Sequence, residues 1–164
     1  MDYRIIERPA FDVVGKSKKF IYDEFLKDGP KFWKGYVSTE EYIALWRLTK
    51  GKCGLVSEAP LMSVYLPEDG TRDSFMDILG VEKKAETDSK EFEVFRIPAA
   101  TYAEFHCTYQ TSTKMNKYIY GEWFSSTSYE RDESKPDIAA YFPVVFRSMK
   151  EMGVRWWIPV IKKK

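Results

Sequence analysis

The chain closes on Arg155-Trp156-Trp157-Ile158-Pro159-Val160-Ile161, and the reading of this stretch decides the fold. As a strand it puts Val154, Trp156, Ile158 and Val160 on one side and Arg155, Trp157, Pro159 and Ile161 on the other. Both sides are bulky, so both are expected to be covered. Pro159 cannot donate to a ladder, which predicts a sheet edge or the closing end of the strand. Trp156 reads as core, since aromatic side chains dominate core burial. Trp157 shares its side with an arginine and a proline and is a candidate cavity wall.

Strand and helix signals run backwards from this word through the second half. Phe92–Ile97 reads as a strand, Pro98 interrupts it, and Tyr102–Cys107 continues it. Thr111 or Ser112 then caps a helix with Met115, Ile119 and Trp123 in one stripe and Tyr118 and Glu122 beside it. A charged exit loop, Tyr129–Lys135, leads to a strand over Asp137–Phe142, and residues 146–152 suggest one or two helical turns.

The first half repeats that order. Residues 3–15 alternate and turn at Gly15, and a short helical pattern over Phe20–Leu26 ends at Asp28-Gly29-Pro30. Ser38-Thr39-Glu40-Glu41 reads as a capping box, with Ser38 covering an early amide and Glu41 reaching back. Tyr42, Leu45, Trp46 and Thr49 form one helical face, and Gly51 is the expected stop. Strand signals follow at Cys53–Val56, Leu61–Leu66 (ending at the turn Pro67-Glu68-Asp69-Gly70) and Phe75–Val81. Arg8-Pro9-Ala10 is echoed by Ile97-Pro98-Ala99. The expected fold is therefore α+β, one domain over 1–164, built from two pseudo-symmetric βαββ repeats at about 1–83 and 92–162, joined by the charged loop Glu82–Glu91. Their antiparallel sheets would leave a ligand cleft between them.

Composition narrows the function. The 164 residues suffice to bury roughly two-thirds of the unfolded surface. With 26 basic and 25 acidic residues, net +1, the chain lacks the basic excess of a nucleic-acid or anionic-membrane binder. Aromatic residues make up 16%, which calls for a large core or an aromatic pocket. Cys53 and Cys107 are isolated and match no metal spacing, so reduced, buried thiols are expected. No signal peptide and no apolar run of membrane length is visible, which predicts a cytoplasmic protein. A Gly-rich phosphate loop, a Ser-His-Asp set and a metal cluster are all missing, so no cofactor and no metal are expected.

Several side chains could carry chemistry. Tyr102, Glu104 and His106 share one strand face, as a polar surface row or as a base and shuttle around a water. Glu122 could turn a carboxylate into a cleft from the helix end, where aromatic surroundings would raise its pKa. Asp77 has the same two readings, surface or cleft. Trp33, Trp123, Tyr141 and Trp157 are candidate aromatic walls, each with core packing as the alternative.

These words resemble a GyrI-like domain, the effector-binding domain of AraC-type regulators. The resemblance rests on Ile6-Glu7-Arg8-Pro9-Ala10-Phe11-Asp12-Val13-Val14-Gly15, Phe32-Trp33 and Phe75–Val81. In the second half it rests on Ile97-Pro98-Ala99, Tyr102–Phe105, Glu122-Trp123, Pro136-Asp137-Ile138 with Tyr141, and Trp157-Ile158-Pro159-Val160. It covers nearly the whole chain and implies two βαββ repeats around a small-molecule cleft, with Tyr141 and Trp157 on the cleft face. Members bind bulky, often cationic aromatic compounds. Some are drug-sensing transcription regulators fused to DNA-binding segments, one protects DNA gyrase, and some hydrolyse cyclopropane-bearing alkylators. This chain starts at its first strand, so a transcription factor acting alone is not expected.

One position departs from the pattern. Where the family places a cleft glutamate, this sequence has Ala139 in Ile138-Ala139-Ala140-Tyr141. Asp77 or Glu104 is the candidate replacement. The expected function is a standalone binder of bulky aromatic small molecules, whether cationic or neutral, with Trp33, Asp77, Glu104, Trp123, Tyr141 and Trp157 as ligand-binding residues. Hydrolysis using Glu104 or Glu122 as catalytic residues, and a protein-partner or homodimer role, are the alternatives.

Overall fold

The computed structural model describes residues 2–68, 73–87, 90–142 and 148–164. Its strands are β1 (Tyr3–Arg8), β2 (Phe11–Ile21), β3 (Leu61–Pro67), β4 (Ser74–Glu82), β5 (Glu93–Ile97), β6 (Ala100–Thr108), β7 (Tyr129–Arg131), β8 (Asp137–Phe142) and β9 (Gly153–Lys162). The helices are α1 (Tyr22–Tyr36), α2 (Glu40–Arg47) and α3 (Ser112–Tyr118). From α3 the chain continues into a widened π-type turn at Ile119–Trp123 and a last turn at Phe124–Ser126. All strand pairings are antiparallel.

The α+β class is as expected, but the strands form one sheet rather than two. Its order is β1-β6-β9-β8-β3-β4-β2-β5, with β7 added to β9. Exchanging β1 with β5, β2 with β6, β3 with β8 and β4 with β9 returns the same order. The centre of the sheet is thus the β3–β8 pair, where Ser63 stands opposite Ala139. Pro9-Ala10 and Pro98-Ala99 carry the chain between the two ends of the sheet, because β1 and β2 lie at opposite ends, as do β5 and β6. The sheet consequently curls: Phe11 and Ile97 from one end and Tyr102 from the other share a core with Val13, Met62, Val64, Ile78, Ile138 and Trp157.

The helices cover the other face in two groups. Tyr36 and Leu45 pack on Val14, Leu61, Leu79 and Val81. Met115, Ile119 and Trp123 pack on Ala103, Phe105, Ile158 and Val160. The three residues of the predicted stripe are therefore all buried, as their spacing requires. Pro159 sits where β8 has ended, since the β8 pairing stops at Trp157, so its missing donor costs no bond on that side. The sheet-edge alternative is excluded, because β9 lies between β6 and β8.

Four local expectations are corrected. The chain does not turn at Gly15; β2 runs on to Ile21, and Gly15 lies opposite Gly80. A Cβ at Gly15 would stand 2.1 Å from the Leu79 carbonyl oxygen, so glycine permits a close strand approach here rather than a turn. The helix does not stop at Asp28-Gly29-Pro30 but passes through it to Tyr36. Gly29 allows the Phe25 ring to fold against the backbone, where a Cβ would lie 2.4 Å from it, and the packed ring offsets the weak local propensity. The cap of α2 is Thr39, not Ser38, accepting from the Tyr42 amide at 3.3 Å. Cys53–Val56 is not a strand, since the chain turns at residues 55–57, and Cys53 is exposed. The turn is held by Glu82, whose carboxylate accepts from the Val56 and Ser57 amides at 2.9 and 2.8 Å. Both cysteines are free.

The expected turn over residues 67–70 and the helical turns over 146–152 lie partly outside the described residues; within them, Met149–Glu151 forms one 3-10 turn. No helix among the described residues is long and apolar enough to cross a membrane.

Candidate functional site

Alternation along the paired strands sorts the candidates onto two faces. On the helix-bearing face one row across the sheet is Asp77 in β4, Tyr65 in β3 and Asp137 in β8. The next row is Leu79, Ser63, Ala139, Trp156 and Phe105. Tyr141 follows, opposite Leu61. The strip over β3 and β8 lies between the two helical groups, and its side chains Tyr65, Tyr141 and Trp156 are half-buried. Trp33 reaches it from α1, and Phe25, also from α1, meets Tyr65 edge-on at 5.9 Å.

Asp77 is the charged group of this strip. It is 1% exposed, and its Oδ2 accepts from Trp33 Nε1 at 2.7 Å, while Oδ1 is buried without a partner among the described residues. Burial pushes its carboxyl up to about 7, against the opposing pull of the Trp33 hydrogen bond. No cation among the described residues pairs with it. The Tyr141 and Ser63 hydroxyls lie 3.0 Å apart and are hydrogen-bonded. Burial pushes the Tyr141 phenol up to about 12 and raises that of Tyr65, so both remain neutral. Tyr65 stacks on Trp156 with ring centroids 5.9 Å apart and planes at 26°, and Trp156 Nε1 is a buried donor without an acceptor among the described residues.

Asp137 closes the lower end of the strip and is already paired. It accepts from Arg131 Nη2 at 2.9 Å and Nε at 3.1 Å and from the Tyr120 hydroxyl. Burial holds its carboxyl above the usual range, although Arg131 and Tyr120 favour the ionised form.

Glu104 and Trp157 face the other way, into the curl of the sheet, where they stand directly opposite each other. Glu104 Oε2 accepts from Trp157 Nε1 at 2.8 Å, and Oε1 from Arg4 Nε at 2.6 Å and His106 Nε2 at 2.8 Å. Burial alone would push this carboxyl up, but the bonds from Arg4, His106 and Trp157 outweigh it and hold the group below the usual range. The Arg8 guanidinium lies 5.0 Å from the centre of the Trp157 ring. The Tyr102-Glu104-His106 row exists as expected, with Tyr102 buried and His106 exposed.

Of the residues singled out in the sequence, Trp33, Asp77 and Tyr141 come together. Trp157 and Glu104 do not join them: Trp157 stands opposite Ile138 and Tyr141 opposite Val154, which places Trp157 and Tyr141 on opposite faces. Trp157 is fully buried, and it is Trp156 that borders the strip. Trp123 is core, 2% exposed and edge-on to Phe105 at 5.1 Å. Glu122 is exposed, because the π-type turn buries Ile119 and Trp123 and leaves the three residues between them outside. Glu104 and Glu122 therefore stand apart: Glu104 accepts from three donors on the inner face, and Glu122 stands in solvent on the outer. Tyr65, Ser63 and Trp156 escaped the sequence reading. Only the β3–β4 and β3–β8 pairing reveals them, although the alternation Ser63, Tyr65 toward Asp77 and Tyr141 carried a partial signal.

Comparison with known proteins agrees with this architecture. Comparison with curated protein sequences gave no match. Among solved structures, SAV2435 bound to tetraphenylphosphonium superimposes with a TM-score of 0.78 at 16% identity, covering 98% of this chain and 94% of that one. A putative bacterial transcription regulation protein from Staphylococcus aureus MU50 gives 0.72 at 14% identity, covering 98% of each chain. An integron cassette protein from the mobile metagenome of Vibrio cholerae gives 0.63 at 14%, covering 97% of this chain and 95% of that one. At these identities the likeness is one of fold. The family described as Cass2, integron-associated effector binding protein, matches residues 4–160, so the chain belongs to this family of GyrI-like effector-binding domains.

Proposed function

We propose that this protein binds bulky aromatic cations in the strip between its two helical groups, with Asp77 as the charge partner. Trp33, Tyr65, Tyr141 and Trp156 supply the surrounding rings. The observation that carries the reading is the Asp77 carboxylate, buried among aromatic side chains with one oxygen unbonded among the described residues. An ionised carboxylate buried without a counter-charge is costly, so these surroundings favour a proton on Asp77. A ligand cation supplies the missing charge, and each aromatic face adds a cation–π attraction of roughly 0.5–2 kcal/mol. The tetraphenylphosphonium held by a neighbour of the same fold supports this ligand class. Asp77 then takes the part that a glutamate at position 139 would play, from two strands away. We read residues 1–83 and 92–162 as two repeats, supported by the strand order that survives their exchange; the site lies where they meet. Sensing or sequestration of drug-like compounds is the corresponding role.

The test is a pair of ions of equal shape and opposite charge, tetraphenylphosphonium and tetraphenylborate, in a thermal-shift titration at about pH 8. The cation at a hundred times its Kd adds about 2.7 kcal/mol of stability. The borate adds none, and Asp77→Asn abolishes the cation's shift. Equal shifts from both ions, or an undiminished shift in Asp77→Asn, would remove Asp77 from the site.

A further inference from the structure

The two oxygens of Asp77 are not equivalent. Oδ2 is engaged by the Trp33 indole, and Oδ1 accepts nothing among the described residues although it is buried. Each neighbouring element leaves it open. In β2, Lys18 stands opposite Asp77, but this lysine is exposed and its ammonium lies over the Phe32 ring at 5.6 Å. In β3, Tyr65 stands on the other side and makes no hydrogen bond to Oδ1 among the described residues. In β8, the Tyr141 hydroxyl is paired with Ser63. The α1 helix contributes Trp33, already bonded to the other oxygen.

A cation can satisfy the charge of Asp77 without satisfying this oxygen. Quaternary ammonium and arylphosphonium ions carry no N–H, so they leave Oδ1 desolvated and unbonded, the arrangement that hydrogen-bond energetics penalises most. A protonated amine supplies both the charge and a donor, and charge-assisted bonds are the strong ones. Resting on the reading of this strip as the ligand site, we propose that it selects aromatic cations bearing an N–H, protonated amines whose proton is donated to Asp77 Oδ1, over fully substituted cations of the same size.

The experiment is a tryptophan-fluorescence titration of the intact chain at about pH 8 with diphenhydramine and with its N-methyl quaternary salt. The tertiary amine binds at least about tenfold more tightly, the value of one charge-assisted hydrogen bond. In Asp77→Asn the ratio falls to about one. In Trp33→Phe, which keeps the carboxylate and frees its second oxygen, the preference persists. Equal or tighter binding of the quaternary salt to the wild type, or a preference retained in Asp77→Asn, overturns the selection for N–H and leaves cation binding standing. Failure of both probes while tetraphenylphosphonium still binds also overturns the selection; failure of all three overturns the ligand site itself.

Discussion

Asp77 and Glu104 are two buried carboxylates on strands of one sheet, and they are opposites. Glu104 faces into the curl and accepts from Arg4, His106 and Trp157, so the fold has finished it. Asp77 faces the helices and, among the described residues, accepts from Trp33 alone and keeps an oxygen unbonded. The surroundings move the two groups in opposite directions, Glu104 below its ordinary range and Asp77 up to about 7. A carboxylate whose donors are all supplied internally is a fastening. One that is buried with a single donor and no counter-charge is the candidate for a partner from outside. The Tyr-Glu-His row, the more suggestive of the two in sequence, is therefore the structural one.

Breaking each carboxylate in turn separates the two roles. Asp77 is ordinarily ionised above about 3.8 in the unfolded chain and only above about 7 in the folded one. Between those values the folded state binds more protons than the unfolded, so stability falls as pH rises through the window. Asp77→Asn keeps an acceptor for Trp33 and removes the charge, so it raises stability above about pH 7 by up to about 4 kcal/mol and changes nothing below about pH 4. Thermal denaturation of the two proteins across that range checks it; a destabilised variant at about pH 8 would show that the charge is internally compensated.

Glu104→Gln has the other sign. The depressed pKa of Glu104 contributes stability that is present above its unfolded value and lost as pH falls through the folded one. The variant turns an amide nitrogen toward one of three donors and costs about 2 kcal/mol at neutral pH, a cost that fades in acid. Denaturant melts at neutral and acid pH measure both parts, and the Kd for tetraphenylphosphonium stays unchanged. A weakened Kd without loss of stability would return Glu104 to the ligand site.

Much of this arrangement was legible in the sequence where it depends on short-range pattern. Met115, Ile119 and Trp123 declared a buried helical stripe, and the alternation in Leu61–Leu66, Phe75–Val81 and Asp137–Phe142 declared strands. What stayed hidden depends on pairing at a distance. Gly15 reads as a turn until Gly80 is known to lie against it, 65 residues away. Gly29-Pro30 reads as a break until the Phe25 ring fills the space that glycine leaves. The double tryptophan was the hardest case: with both sides of β9 bulky, alternation assigns Trp156 and Trp157 to different faces without saying which face is closed. Register with Ser63 and Ala139 puts Trp156 at the strip over β3 and β8 and Trp157 against Glu104. Asp77 was nominated from its place in the strand, but its isolation from cations is a property of the packed sheet alone.

The most direct test of Asp77 as the ligand's charge partner is a count of protons. Tetraphenylphosphonium is titrated calorimetrically at about pH 6 in two buffers of different ionisation enthalpy, for the wild type and for Asp77→Asn. The cation displaces the proton that the buried carboxyl holds, so the wild type releases about one proton per ligand bound and the variant, where it binds at all, releases none. Binding without proton release in the wild type, or with equal release in both proteins, would contradict the assignment.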